Sequence, residues 1–204
     1  MKILILGKSI KFENIIKNLW PESERTITPW RSISDSKSLD IKYNLIFVCG
    51  YDYSSYSYEL SDFLNTNVVL PLKKIKESSN INTDIIYIMT DLHKKNYTYS
   101  RYLYAKYLLA QKLIACNDFN SYILVMPTIL NKHGQMDSFG PGNRILIFML
   151  VKLKIIKVVT PEEVLSRIEN YKSSSAQSIF EKKPKLLNLK RTIMIDRLLR
   201  LVIG

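Results

Sequence analysis

The chain is poor in the residues on which metal, disulfide and membrane chemistry depend. It has 2 cysteines and 2 histidines among 204 residues. Cys49 and Cys116 supply neither a disulfide framework nor a four-cysteine metal site, so a reducing cytoplasm is the simplest compartment. His93 and His133 lack companions at ligand spacing, and no metal is expected. No apolar run approaches the ~20 residues needed to cross a bilayer. The best stretch, 145–151, is cut off by Lys152 and Lys154. Acidic residues are also scarce, 18 against 30 Lys+Arg, leaving a formal net charge of +12. That sign favours nucleotides, phosphosugars, nucleic acid or lipid headgroups without choosing among them. Lys73, Lys74, Lys76, Lys94 and Lys95 fall in segments that read as solvated loops or helix ends. No nucleic-acid recognition motif accompanies the charge, so nucleic acid is not an expected partner.

What is present is an ordinary globular composition, 47% apolar and 24% charged, at a length suited to one domain. The opening MKILILGKSIKF has a short apolar run without a small-residue cleavage site, and is expected to be a first strand rather than a signal peptide. Residues 2–6 read as that strand, Gly7 as its turn, and Ile10, Ile15, Ile16 and Leu19 as one face of a helix. A weak strand follows at 25–30, then a polar loop at 35–40. Residues 43–49 (YNLIFVC) form a buried parallel-type strand closed by Gly50, with a short helix at 58–64. TDIIYIMT at 83–90 is another buried strand. Leu103, Tyr107, Ala110, Leu113 and Ile114 repeat at helical period within 98–116. SYILVM at 121–126 returns as a strand ending at Pro127. A helix at 143–151, a strand at 155–160 and a helix at 161–170 complete the alternation, with Thr160 as N-cap and Glu162 and Glu163 in an acidic first turn. Alternating strands and helices predict a doubly wound, mostly parallel α/β sheet of Rossmann type, with ligands outside the carboxyl ends of the strands.

TDIIYIMT, the helix carrying YLYAKYLLAQKLI, the strand SYILVMP and the later IIKVVTPEEV resemble consecutive pieces of the short-chain dehydrogenase/reductase superfamily, over roughly residues 1–170. The extended branch that modifies nucleotide sugars is the most similar. The resemblance implies NAD or NADP as cofactor, a nucleotide-sugar substrate, and a catalytic set of Tyr102, Lys106 and Thr90. Tyr102 would be the acid/base, Lys106 its activator and a ribose ligand, and Thr90 the group that polarises the carbonyl. The spacing suits the chemistry. Tyr and Lys four apart share one helical face, where the ammonium favours the tyrosinate. Cofactor contacts are implied at Gly7, Lys8, Ser9, Arg31, Gly50, Lys106 and Pro127, and substrate contacts at His133, Asn143 and Arg144 in a glycine-bearing loop over 131–142.

The chain departs from the family pattern where a pyrophosphate should be cradled. The family's first turn carries three glycines at three-residue spacing. Here only Gly7 is present, and the positions three and six later are Ile10 and Glu13. A carboxylate beside a pyrophosphate would repel it, unless Glu13 lies further along the helix and pairs with Lys17. Lys8 and Ser9 read either as an altered phosphate turn or as plain loop. Arg31 reads either as a 2′-phosphate ligand or as a surface residue. Met126 stands where nucleotide-sugar members carry Arg.

The domain is expected to span 1–170, followed by a linker at 171–185 and a basic amphipathic helix at 186–204. Leu186, Leu189, Ile193 and Leu198 there interleave with Lys190, Arg191 and Arg197. Such a helix fits a homo-oligomer or pathway-partner contact, or a peripheral membrane contact at the inner membrane of a cytoplasmic protein. Two functional readings follow from the resemblance. One is an atypical NAD(P)-dependent reductase or epimerase-like protein of bacterial surface-polysaccharide synthesis. The other is a degenerate member, without dinucleotide, that serves as a binding or scaffold subunit in the same pathway.

Overall fold

The computed structural model describes residues 1–33, 41–52, 59–90, 97–98, 101–129, 152, 158–176 and 185–186. The apolar runs form parallel strands β1 (Lys2–Leu6), β2 (Glu24–Thr28), β3 (Leu45–Val48) and β4 (Asp84–Thr90). After a two-residue strand β5 (Tyr97–Thr98), β6 (Asn120–Met126) completes a five-stranded sheet of order β2-β1-β3-β4-β6. Every ladder in it is parallel. Two short parallel pairs lie apart from this sheet. One joins β7 (Thr128–Ile129) to β8 (Val158–Val159), and the other joins β5 to β9 (Lys185–Leu186).

Alternation along the strands sends side chains to two separate cores, as a sheet covered on both faces requires. Ile3, Ile5, Phe47, Ile86 and Leu124 pack with Phe12, Ile15 and Ile16 of α1 (Ile10–Leu19). Val164 and Ile168 of the later helix Pro161–Glu169 close the same face. Leu4, Leu6, Ile46, Val48, Ile85 and Tyr87 face the other core. It is covered by α2 (Leu60–Leu64), a π-helical turn at Asn65–Val69, α3 (Leu70–Ser78) and α4 (Arg101–Ile114). The expected doubly wound α/β architecture is present.

Several local expectations are corrected. Ile10 does not join the buried stripe of α1 and is 71% exposed. The helix expected to stop at 64 continues to Ser78, which places Lys73 and Lys74 within α3 and Lys76 in its last turn. Pro71 follows directly on the π turn that joins the two helical stretches. The second strand ends at Thr28, and Trp30–Ser32 forms a single 3-10 turn.

At the other end of the chain, α5 (Pro161–Glu169) starts with a complete capping box. The Glu163 N–H donates to the Thr160 hydroxyl at 3.3 Å, and the Thr160 N–H donates to the Glu163 carboxylate at 3.0 Å. A further helical turn, α6 (Tyr171–Ser174), docks on the amino ends of the strands. The Tyr171 hydroxyl donates to the Asp84 carboxylate, which also accepts from Asn120 Nδ2 at 3.2 Å and pairs with Lys172 Nζ at 3.4 Å. The Ala176 N–H then bonds the Ile123 carbonyl at 3.0 Å. Residues 171–176 are therefore anchored to the sheet. The helix expected at 143–151 lies outside the described residues, as does 187–204.

Candidate functional site

The chain leaves β1 for β2 on one side and places β3 on the other side of β1. This makes a topological switch point, and the crevice outside the carboxyl ends of β1 and β3 is where ligands of such sheets bind. Gly7 follows β1 and Gly50 follows β3. They pack backbone to backbone: a Cβ on Gly7 would stand 2.3 Å from the Gly50 Cα, and Gly7 has φ +112°. Only glycine fits there. Their amides serve the sheet rather than a ligand. The Gly7 N–H donates to the Thr28 carbonyl at 2.9 Å, and the Gly50 N–H to the Leu6 carbonyl at 3.0 Å.

Lys8 is exposed. Ser9 is the N-cap, but its side chain makes no capping bond. Glu13, in the acidic first turn, is half-buried, and its Oε1 is buried without a hydrogen-bond partner. The alternative pairing of Glu13 with Lys17 does not form. A partnerless carboxylate oxygen under a helix N-terminus is a costly arrangement.

Beyond β2 the crevice is lined by the chain's own aromatic surface. Trp30 is buried, 6% exposed, at the edge of the second core, and its ring packs against Gly50, so that a Cβ at Gly50 would stand 2.4 Å from the Trp30 Cε3. The indole N–H donates to the Asn67 carboxamide oxygen at 3.2 Å. That oxygen also accepts the Asp52 N–H at 2.9 Å, while Asn67 Nδ2 donates to the Phe63 carbonyl at 3.1 Å. Arg31 is tethered through one nitrogen of its guanidinium. Its Nε donates to the buried Asp52 carboxylate at 3.1 Å, although the arginine side chain itself is 69% exposed.

Tyr102 and Lys106 do come together on one face of α4, both 6% exposed. Lys106 does not reach to solvent. Its Nζ donates to the Ile88 carbonyl at 3.2 Å, and lies 5.7 Å from the Tyr102 ring centre and 5.3 Å from that of Tyr87. Tyr51, next after Gly50, packs edge-on against Tyr102 at 4.6 Å. Arg101 is buried one position earlier, with its guanidinium 5.7 Å from the Phe63 ring. Cys49, just before Gly50, is half-buried against the core that α1 covers. Burial pushes its thiol up to about 12 against the opposing pull of Lys106, and the Glu13 carboxylate adds to the rise. Lys106 and Glu13 therefore act on the Cys49 thiol in opposite directions.

Thr90 closes β4 in register with Met126; its side chain is not described. Pro127 is half-buried just past β6. His133, Asn143 and Arg144 lie outside the described residues. Sequence reasoning missed Trp30, Tyr51, Asp52 and Asn67. The available signal was positional, since Trp30 and Tyr51 are large aromatics placed immediately after the ends of β2 and β3.

A parallel sheet whose order reverses beside β1, with α4 crossing from β4 to β6, defines a Rossmann-type α/β fold. Solved structures share it. One is a short-chain dehydrogenase/reductase superfamily protein from Agrobacterium tumefaciens with bound NAD. It matches at TM-score 0.55 and 11% identity, over 82% of this chain and 72% of its own. The ADP-L-glycero-D-manno-heptose-6-epimerase of Helicobacter pylori gives 0.55 at 11% identity, over 92% and 76%. A GDP-L-fucose synthetase from Naegleria fowleri bound to NADP gives 0.56 at 11% identity, over 91% and 71%. No family model and no curated protein matches the chain. At such identities the likeness shows the fold. No helix among the described residues is long and apolar enough to cross a membrane.

Proposed function

We propose that this is a short-chain dehydrogenase/reductase-type protein that no longer takes a dinucleotide and serves as a binding or scaffold subunit in nucleotide-sugar chemistry, within bacterial surface-polysaccharide synthesis. The observation that carries this reading is Glu13. Its buried, partnerless oxygen lies in the first turn of α1, where the fold would seat a pyrophosphate. A dianionic group there would meet a carboxylate instead of a glycine. Against NAD or NADP stand Ile10 and Glu13, at the positions of the second and third glycines of the family's turn. Arg31, the candidate 2′-phosphate ligand, pairs through Nε with Asp52.

The nucleotide-sugar setting draws on the resemblance and on neighbours named as an epimerase and a synthetase of nucleotide-linked sugars. The reading keeps the protein in the cytoplasm, with residues 186–204 as its contact to a second copy, a pathway partner or the inner-membrane surface. Calorimetric titration of the full chain with NAD, NADP, NADH and NADPH tests the reading. Absence of binding up to millimolar ligand is expected, and micromolar affinity for any of the four would overturn it.

One observation favours a second reading, an active NAD(P)-dependent reductase or epimerase: Lys106 is buried beside Tyr102 and held by a backbone carbonyl. A buried ammonium poised near a phenol is what proton transfer from tyrosine requires. Turnover of a nucleotide-linked sugar that disappears in both Tyr102→Phe and Lys106→Ala, with the fold intact, would establish this reading instead.

A further inference from the structure

We infer that Trp30 is a built-in occupant of the adenosine half of the crevice, and that its removal uncovers a site for a purine nucleoside. The inference rests on the proposed loss of the dinucleotide and identifies which side chain fills its place. In folds of this type the adenosine ribose lies beside the end of the second strand, about 20 residues after the first turn. Trp30 stands two residues past β2 and 23 past Gly7. Its indole is a flat fused five- and six-membered ring, similar in outline to a purine, lying on the bare backbone of Gly50.

The polar partner of that ring is fixed in orientation. Asn67 Nδ2 is held by the Phe63 carbonyl, and Oδ1 already accepts the Asp52 N–H. The carboxamide therefore presents an acceptor, not a donor, to whatever ring lies on Gly50. The indole N–H uses it at 3.2 Å, and the exocyclic amine of adenine is the corresponding donor. Asp52 sets a second restriction. Its carboxylate is buried and lies beside Arg31 at the rim, so a 2′-phosphate would meet a neutralised arginine and a nearby negative charge. The uncovered site should accept adenosine and 5′-AMP, and discriminate against 2′-AMP.

The test uses the full chain as Trp30→Ala and Trp30→Phe, titrated by calorimetry with adenosine, 5′-AMP, 2′-AMP and free indole, and followed in parallel by thermal melting. Trp30→Ala is expected to bind indole and adenosine at least tenfold more tightly than wild type does, with 2′-AMP weaker than 5′-AMP and indole competing with adenosine. If Trp30→Ala folds only with adenosine present, the inference is equally supported. Trp30→Phe keeps a ring in place and protects the test against collapse of the alanine variant. It should show a smaller nucleoside-dependent rise in Tm that wild type lacks. Binding of indole without gain for adenosine, or no nucleoside response in either variant, overturns the inference while leaving the proposed function standing. Tight dinucleotide binding by wild type has the opposite meaning, since it removes the proposed function first.

Discussion

Replacing Glu13 by Ala should stabilise the protein, an unusual outcome for a substitution in a half-buried first turn. The carboxylate oxygen Oε1 is buried without a partner. An unsatisfied buried acceptor costs about 1–3 kcal/mol, and this cost disappears with the side chain. Against it stands the loss of an acidic group near a helix N-terminus, worth roughly 0.3–1 kcal/mol. Alanine is also the better helix former, by a few tenths of a kcal/mol at most. The balance is a gain of about 0.5–2 kcal/mol, which for a domain of this size raises Tm by roughly 2–5 °C. Differential scanning calorimetry measures it directly. A second readout follows from the same geometry. Glu13 contributes to the raised pKa of Cys49, so its removal should lower that pKa and speed alkylation of the thiol. A fall in Tm of more than about 2 °C would refute the reasoning, because it would mean that the carboxylate is a net stabiliser, for instance as counter-charge to Lys106.

Three further outcomes are expected. Gly7→Ala should cost at least about 2 kcal/mol in a urea-unfolding experiment, since φ +112° and a backbone atom 2.3 Å from the new Cβ act together; an unchanged midpoint would contradict the packing of the two glycines. Tyr171→Phe should cost roughly 1–3 kcal/mol and loosen residues 171–176 in hydrogen exchange, because it leaves the Asp84 carboxylate without its hydroxyl donor. Protection unaltered there would mean that α6 is held by its other contacts. Cys49 should resist iodoacetamide at pH 8. A thiol raised from 9.0 to about 12 carries roughly a thousandfold less thiolate than the unfolded chain, so rapid labelling of native protein would contradict its burial. The sign follows by linkage. The folded pKa lies above the unfolded one, so this group's contribution to stability is complete below about pH 9 and is lost as pH rises towards about 12.

The sheet was legible because its strands are continuous β-branched runs between turn residues, as in KILIL and DIIYIMT. Buried on both faces, such segments have few alternatives. The Thr160 capping box was legible for a related reason, since its chemistry is entirely local. Helix α3 was not. The apolar pattern of 58–64 breaks at Asn65, while in the structure a π turn at Asn65–Val69 carries the helix on to Ser78. Ile10 misled the reading of α1 because helical period alone does not say where a buried face ends. Within the site, Tyr102 and Lys106 were singled out by the family resemblance, and the structure places both buried on one face of α4. Trp30, Tyr51 and Asn67 were invisible because their roles depend on which strand ends lie side by side, a property of the sheet order rather than of any segment.

The central claim is that the crevice above Gly7 and Gly50 is filled by the chain itself. A crystal structure of the protein grown with millimolar NADPH or NAD tests this most directly. The account predicts Trp30 seated on Gly50, Arg31 on Asp52, and no dinucleotide density above Gly7. Clear density for a dinucleotide across the ends of β1 and β3, with the indole displaced and Glu13 turned away, would contradict it.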